Sequence, residues 1–198
     1  MSSGNTTVFM SDSLHWPLCS RYFLVTLEAL HIRVVEDGVA GDRALRWALG
    51  MLGDGQAEVL GVWTDPSIYV PPRQALWGSL KVRGVEKIRF VSSSNSSALF
   101  AALHHIFPGA TSLPAGCQLE TALPSRYRRR VRVIAESVSL LQRRTARAIS
   151  RHGCFSDPSN AAAFVMDALT RGEYSRQVTG IGGHAVPEHL YGASELSE

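Results

Sequence analysis

Y-F-L-V-T-L-E-A-L-H-I-R-V-V-E-D-G, from Tyr22 to Gly38, decides the fold. Its apolar residues are large or β-branched and run almost without interruption, the pattern of a central strand covered on both faces. Asp37-Gly38 ends the run with a dipeptide that turns a chain back on itself. A second apolar run, Ala44 to Met51, follows. Gly53-Asp54-Gly55 then makes another tight turn before a third run, Glu58 to Trp63. Strands near 22–36, 43–52 and 57–63 joined this way form an antiparallel meander. One acid, Glu28, stands in the middle of the first strand. A carboxylate is costly there unless a partner or a site receives it.

The 198 residues, 45% of them hydrophobic, suffice for one ordinary domain with appendages and a real core. No apolar run approaches the roughly 20 residues that span a bilayer, so no membrane partner is expected. The first twenty residues are polar and lack the charged start and apolar block of a secretory signal. Cys19, Cys117 and Cys154 are scattered without metal-like pairing, which fits buried or idle thiols in a reducing, cytoplasmic compartment.

Charge is unevenly placed. Pro124 to Arg151 holds nine arginines against one acid, Glu136, so this segment carries +8 and the remainder −5 of the net +3. The chain has eighteen arginines and two lysines, Lys81 and Lys87. Arginine bias alone follows from a GC-rich genome as readily as from phosphate binding, so only the clustering is informative.

Working outward, Met1 to Ser20 reads as a loose arm whose Trp16 and Leu18 can pack on the sheet. Pro66 to Pro72 contains three prolines that break the strand pattern. A helix is expected over 73–83, stopped by Gly84. A fourth strand over 85–91, parallel to the first, leads into the polar stretch Ser92 to Ser97, read as a loop that caps a helix over 97–107. Thr111 to Leu123 shows no pattern. A long helix runs from about Ser125 to Arg151, with Val131, Ile134, Val138, Leu141, Thr145 and Ala148 as one apolar stripe. Asp157-Pro158 opens a last helix that reaches about Arg171, and the residues from 175 onward read as a tail. The domain plan is therefore an arm (1–20), a core (21–110), a helical extension with the arginine-rich helix (111–174) and a tail (175–198). The order β-β-β-α-β-α, then helices, is an α/β arrangement in the manner of ribonuclease H-like folds. Fold analogy by itself carries no function.

Several blocks, in order, resemble the Mutator-type transposases of bacterial insertion sequences. Tyr22 to Gly38 looks like that family's first catalytic strand, and A-L-G-M-L-G-D-G-Q-A-E-V-L-G (Ala48 to Gly61) resembles its second and third strands. L-W-G-S-L-K-V-R-G-V (Leu76 to Val85) is similar to the helix and strand that follow, and F-P-G-A (Phe107 to Ala110) to the end of the next helix. The likeness covers roughly 22–110 and continues more weakly to about 169. It implies DNA transposition through three carboxylates that hold two divalent ions, Mg²⁺ in intact members. One ion activates the nucleophile and the other stabilises the leaving oxygen.

Carried over by position, the first carboxylate falls on Glu28 where the family has Asp, and the second on Ser94. A neutral hydroxyl is a poor Mg²⁺ ligand beside a carboxylate. Ala98 replaces a family glycine, and Ala115 and Gln118 replace its Cys-x-x-His pair. The third acid and the family's amino-terminal DNA-binding region are expected outside the 198 residues. The resemblance thus implies a transposase-related protein with an incomplete catalytic set, so that neither metal nor other cofactor is expected on it. Two alternatives stand beside it: a non-catalytic module that binds DNA, itself or an intact transposase, and a degenerate fragment without function.

Simpler roles exist for each residue singled out. Glu28 can be a polar residue bonded inside the sheet, and Ser92 to Ser97 a cap and loop. His104 and His105 point apart on a helix and lack a third ligand. Nothing orients Cys154 against His152. Arg128, Arg129, Arg132, Arg143, Arg147 and Arg151 are the candidate DNA contacts, weighed against a merely solvated face. Binding through them would place the protein on the nucleoid.

Overall fold

The computed structural model describes residues 17–36, 38–64, 73–93, 97–113, 119 and 122–171. It is a mixed α/β structure of six strands and four helices. The strands are β1 (Arg21–Glu36), β2 (Val39–Met51), β3 (Ala57–Thr64), β4 (Lys87–Ser93), β5 (Thr111–Leu113) and β6 (Cys154–Phe155). The helices are α1 (Arg73–Val82), α2 (Ser97–Ile106), α3 (Ser125–His152) and α4 (Pro158–Thr170). Of the expectations, Trp16, Ser94 and the tail from 175 lie outside the described residues.

The sheet order is β3-β2-β1-β4-β5, with β6 added to β1. β1 and β2 are antiparallel, as are β2 and β3, so the meander read from the sequence is present. β4 pairs β1 in parallel, also as read, and β5 pairs β4 in parallel. Three readings change. β2 starts at Val39 rather than near 43, because Gly38 takes the turn at once and both arms of the hairpin pair from Glu36↔Val39 onward. Ser92 and Ser93 are buried strand residues opposite Thr26 and Leu27, not loop. Thr111–Leu113, which showed no pattern, is a strand because the free edge of β4 offers it a partner.

The sheet is covered on both faces, which explains why β1 is mostly apolar. One side packs Tyr22, Val25, Leu27, Leu60 and Val91 against Trp77 and Leu80 of α1 and Leu103 of α2; half-buried Leu18 joins them. The other packs Leu24, Leu30, Ile32, Val34, Leu45, Trp47 and Leu49 against α3 and α4. On α3 the buried stripe is Tyr127, Val131, Ile134, Val138, Leu141, Thr145 and Ile149. Ile149 takes the place expected for Ala148, which is half-buried. At 3.6 residues per turn the stripe drifts, and the larger side chain fills the core.

Local chemistry sets the ends. Gly84 (φ 101°) closes α1 as a left-handed cap, with Val85 N–H donating to Leu80 O at 3.0 Å and Gly84 N–H to Lys81 O at 3.2 Å. Asp157 caps α4, accepting at Oδ1 from Asn160 N–H at 2.8 Å, with Pro158 in the first turn. Gly50 answers to packing rather than to a turn. A Cβ there would lie 2.6 Å from the Tyr22 ring and 2.9 Å from Leu60 Cδ2, so only glycine lets that ring cross β2.

Candidate functional site

Glu28 lies on β1 directly opposite Trp47 of β2. Residues paired this way point to the same side of a sheet, and Trp47 belongs to the core under α3 and α4. Glu28 therefore faces the long helix. It is half-buried and engaged in an interaction of its own.

The strand edge next to it is unusual. β4 pairs β1 only as far as Leu27↔Ser93, and β6 resumes at Arg33↔Cys154. Between them Gln142 of α3 fills in: its Nε2 donates to Ala29 O at 2.6 Å, while its Oε1 accepts from Trp47 Nε1 at 2.8 Å. One side-chain amide thus satisfies a strand carbonyl and a buried indole across 113 residues of sequence. The signal for this was a lone glutamine on the helix, and nothing in its spacing pointed to a partner.

The second position, Ser94, lies outside the described residues, so the structure brings one of the two expected positions to this place. A pair of Mg²⁺ ions needs several oxygen ligands around each. Among the described residues no group of three or more His, Cys, Asp or Glu is arranged to hold a metal. Among the described residues Glu28 is a lone carboxylate there, and one carboxylate does not fit two ions. His104 Nε2 lies 3.2 Å from Ser112 Oγ at an exposed spot. The His152 ring stacks on Phe155 at 4.2 Å, a packing role.

Sequence reading passed over a polar cluster at the start of β1. The Tyr22 hydroxyl donates to Glu58 Oε1 and accepts from Cys19 N–H at 3.1 Å. Arg83, nearly buried, donates to Leu60 O. Burial, then the Glu58 carboxylate beside it, pushes the Tyr22 phenol far above its ordinary range. The same two causes, burial first, raise the Cys19 thiol, so it is poorly suited to act as a nucleophile. Cys19 and Cys154 are both free; the Cys19 residue is largely open to solvent while its thiol is partly shielded beside Glu58, and Cys154 is exposed.

The arginine helix gives the other candidate surface. All nine arginines of α3 are exposed, including Arg128, Arg129, Arg132, Arg143, Arg147 and Arg151. Most of them lie away from the buried stripe, which packs on the sheet. Arg130 is partly tied down, donating from Nη1 to Gly53 O at 2.7 Å. No helix among the described residues is long and apolar enough to cross a membrane.

The family model for "Transposase, Mutator family" matches residues 10–120, more than half of the chain and nearly all of the sheet. Comparison with curated proteins gave no match.

Proposed function

The chain belongs to the Mutator family of transposases, and from that premise we propose that it is a transposase-related protein that binds DNA through α3 and does not cut or join strands. The observation that carries this reading is the contrast on α3. Its buried stripe meets Glu28's face of the sheet, and the rest of its surface carries nine exposed arginines, most of them on the outer side. A basic surface on a member of a DNA-transposing family is best matched by phosphate.

The sheet supports a ribonuclease H-like reading: a three-strand meander, then two strands parallel to the first, in the order β3-β2-β1-β4-β5. In such a scaffold the first carboxylate would be Glu28 and the second would stand at Ser94, where this chain has a hydroxyl. A single carboxylate cannot organise in-line displacement at phosphorus by two metals. Contacts from Arg128, Arg129, Arg132, Arg143, Arg147 and Arg151 would be largely independent of sequence, because phosphate contacts position a protein without reading bases. Tyr127 is the one aromatic among these arginines and is buried, so stacking on unpaired bases is not favoured. The site of action on this reading is nucleoid DNA in the cytoplasm.

The deciding experiment incubates the protein with duplex DNA carrying free ends, in Mg²⁺ or Mn²⁺, and follows retention, nicking and joining together. The expected result is retention at low salt without nicks or joined products. Metal-dependent cleavage abolished by Glu28→Gln would show an active centre at β1 and overturn the reading.

A further inference from the structure

We propose that α3 bridges the major groove of duplex DNA, with Arg128 and Arg129 on the phosphate row at one side and Arg143 and Arg147 on the row at the other. This rests on the DNA-binding reading above and narrows it from phosphate in general to the two rows of a double strand.

The arginines are not spread evenly along the helix. Five of the nine fall within 126–132 and four within 143–151, and none lies in 133–142 between them. Packing does not impose that gap. Val133, Glu136, Ser139 and Leu140 are all exposed, so the fold would tolerate arginine at each of them. The middle holds the one acid of the helix instead, Glu136. It stands seven residues from Arg129 and seven from Arg143, close to two turns each way, so the three lie on one outward line. A carboxylate there would repel a phosphate row that followed the helix axis. Over an open groove it meets none.

The spacing selects the groove. Arg129 and Arg143 are about 21 Å apart at 1.5 Å per residue, and the stretch from Arg132 to Arg143 is about 16–17 Å long. The major groove of B-form DNA is about 12 Å wide and the minor groove about 6 Å. Arginine side chains from the two clusters reach inward to the two rows of the wider groove, whereas the gap overshoots the narrower one. Arg130 stands outside the bridge, because its Nη1 donates to Gly53 O at 2.7 Å. Unpaired bases find no platform on this helix. Its one Phe, Tyr or Trp is Tyr127, which is buried, with the guanidinium carbon of Arg89 5.6 Å from its ring centre.

Glu136→Lys, R129A and R143A test this with two probes, a dA·dT duplex, whose major groove holds no guanine for the introduced amine, and the dT strand alone. All three side chains are exposed, so Tm should not move. On the duplex R129A and R143A should each flatten the slope of log K against log salt by about 0.9, and Glu136→Lys should leave it unchanged. The single strand can follow the helix past residue 136, so there Glu136→Lys should steepen the slope by about 0.7. The same response to Glu136→Lys on both probes, or a duplex slope that only one of R129A and R143A alters, overturns the bridge while leaving DNA binding intact. Binding of the single strand alone does the same. A native protein that binds neither probe removes the DNA reading and the bridge with it.

Discussion

Gln142 and Arg143 are neighbours on one helix, yet they belong to different halves of the molecule. Gln142 turns inward, closing the gap in β1 beside Glu28 and holding the Trp47 indole. Arg143 turns outward into solvent. The inner side is organised by packing and paired polar groups, so substitutions there should be read in stability. The outer side carries charge that the fold does not need, so substitutions there should be read in binding. Glu28 lies on the inner side, whereas the proposed DNA contacts lie on the outer one.

The largest effect expected is on the inner side. Trp47→Ala removes a fully buried indole and leaves Gln142 without one partner, so unfolding free energy should drop by about 3–5 kcal/mol. Denaturant titration with unchanged m-value checks it. A loss under about 1 kcal/mol would mean that the inner side is loosely packed and would blur the contrast. Gly50→Ala should follow at about 1–3 kcal/mol, since Tyr22 or Leu60 must move aside. Gln142→Ala should cost a similar amount by stranding Ala29 O and the Trp47 N–H. Arg143→Ala, one residue on, should stay within about 0.5 kcal/mol. Equal losses for this neighbouring pair would erase the distinction between the two sides.

Thr145 sharpens the comparison from the opposite direction. Its hydroxyl is buried without a hydrogen-bond partner, so Thr145→Val should raise stability by about 1 kcal/mol. DNA retention should not change, because Thr145 lies on the inner stripe. Altered binding in this variant would place the contact surface elsewhere.

Alkaline pH gives a smaller and more gradual signal. The folded-state pKa of Tyr22 is raised, so the unfolded chain releases that proton first. The corresponding stability is fully present below about pH 10, the ordinary value for tyrosine, and is lost as pH rises beyond it. Tyr22→Phe should flatten that decline. A decline of unchanged steepness in the variant would assign it to other groups.

Much of the fold was legible because its signals are local. Turn glycines at 38 and 53–55, the cap at Gly84 and the Asp157-Pro158 start each act within a few residues of themselves. Long apolar runs then leave β1 no place except the middle of a covered sheet. β5 and β6, three and two residues long, are too short for any period and exist only because neighbouring strands offer free edges. The composition of Ser92 and Ser93 reads as loop, whereas both are buried residues of a parallel strand pair. The candidate site was less legible. The arginines of α3 could be placed on an outer face from helical spacing alone. The joins made by Gln142, by Tyr22 with Glu58, and by Arg89 with Tyr127 link residues far apart in sequence. No pattern within a segment encodes them.

The most direct test of DNA binding on the outer face of α3 is the salt dependence of duplex binding. Four phosphate contacts predict a slope of log K against log salt of about −3.6, and removing two contacts predicts about −1.8. The native protein should show the first slope, R143A/R147A the second, and Glu28→Gln the native one. A slope that R143A/R147A leaves intact, or that Glu28→Gln changes, would contradict the claim that binding resides on the outer face of α3.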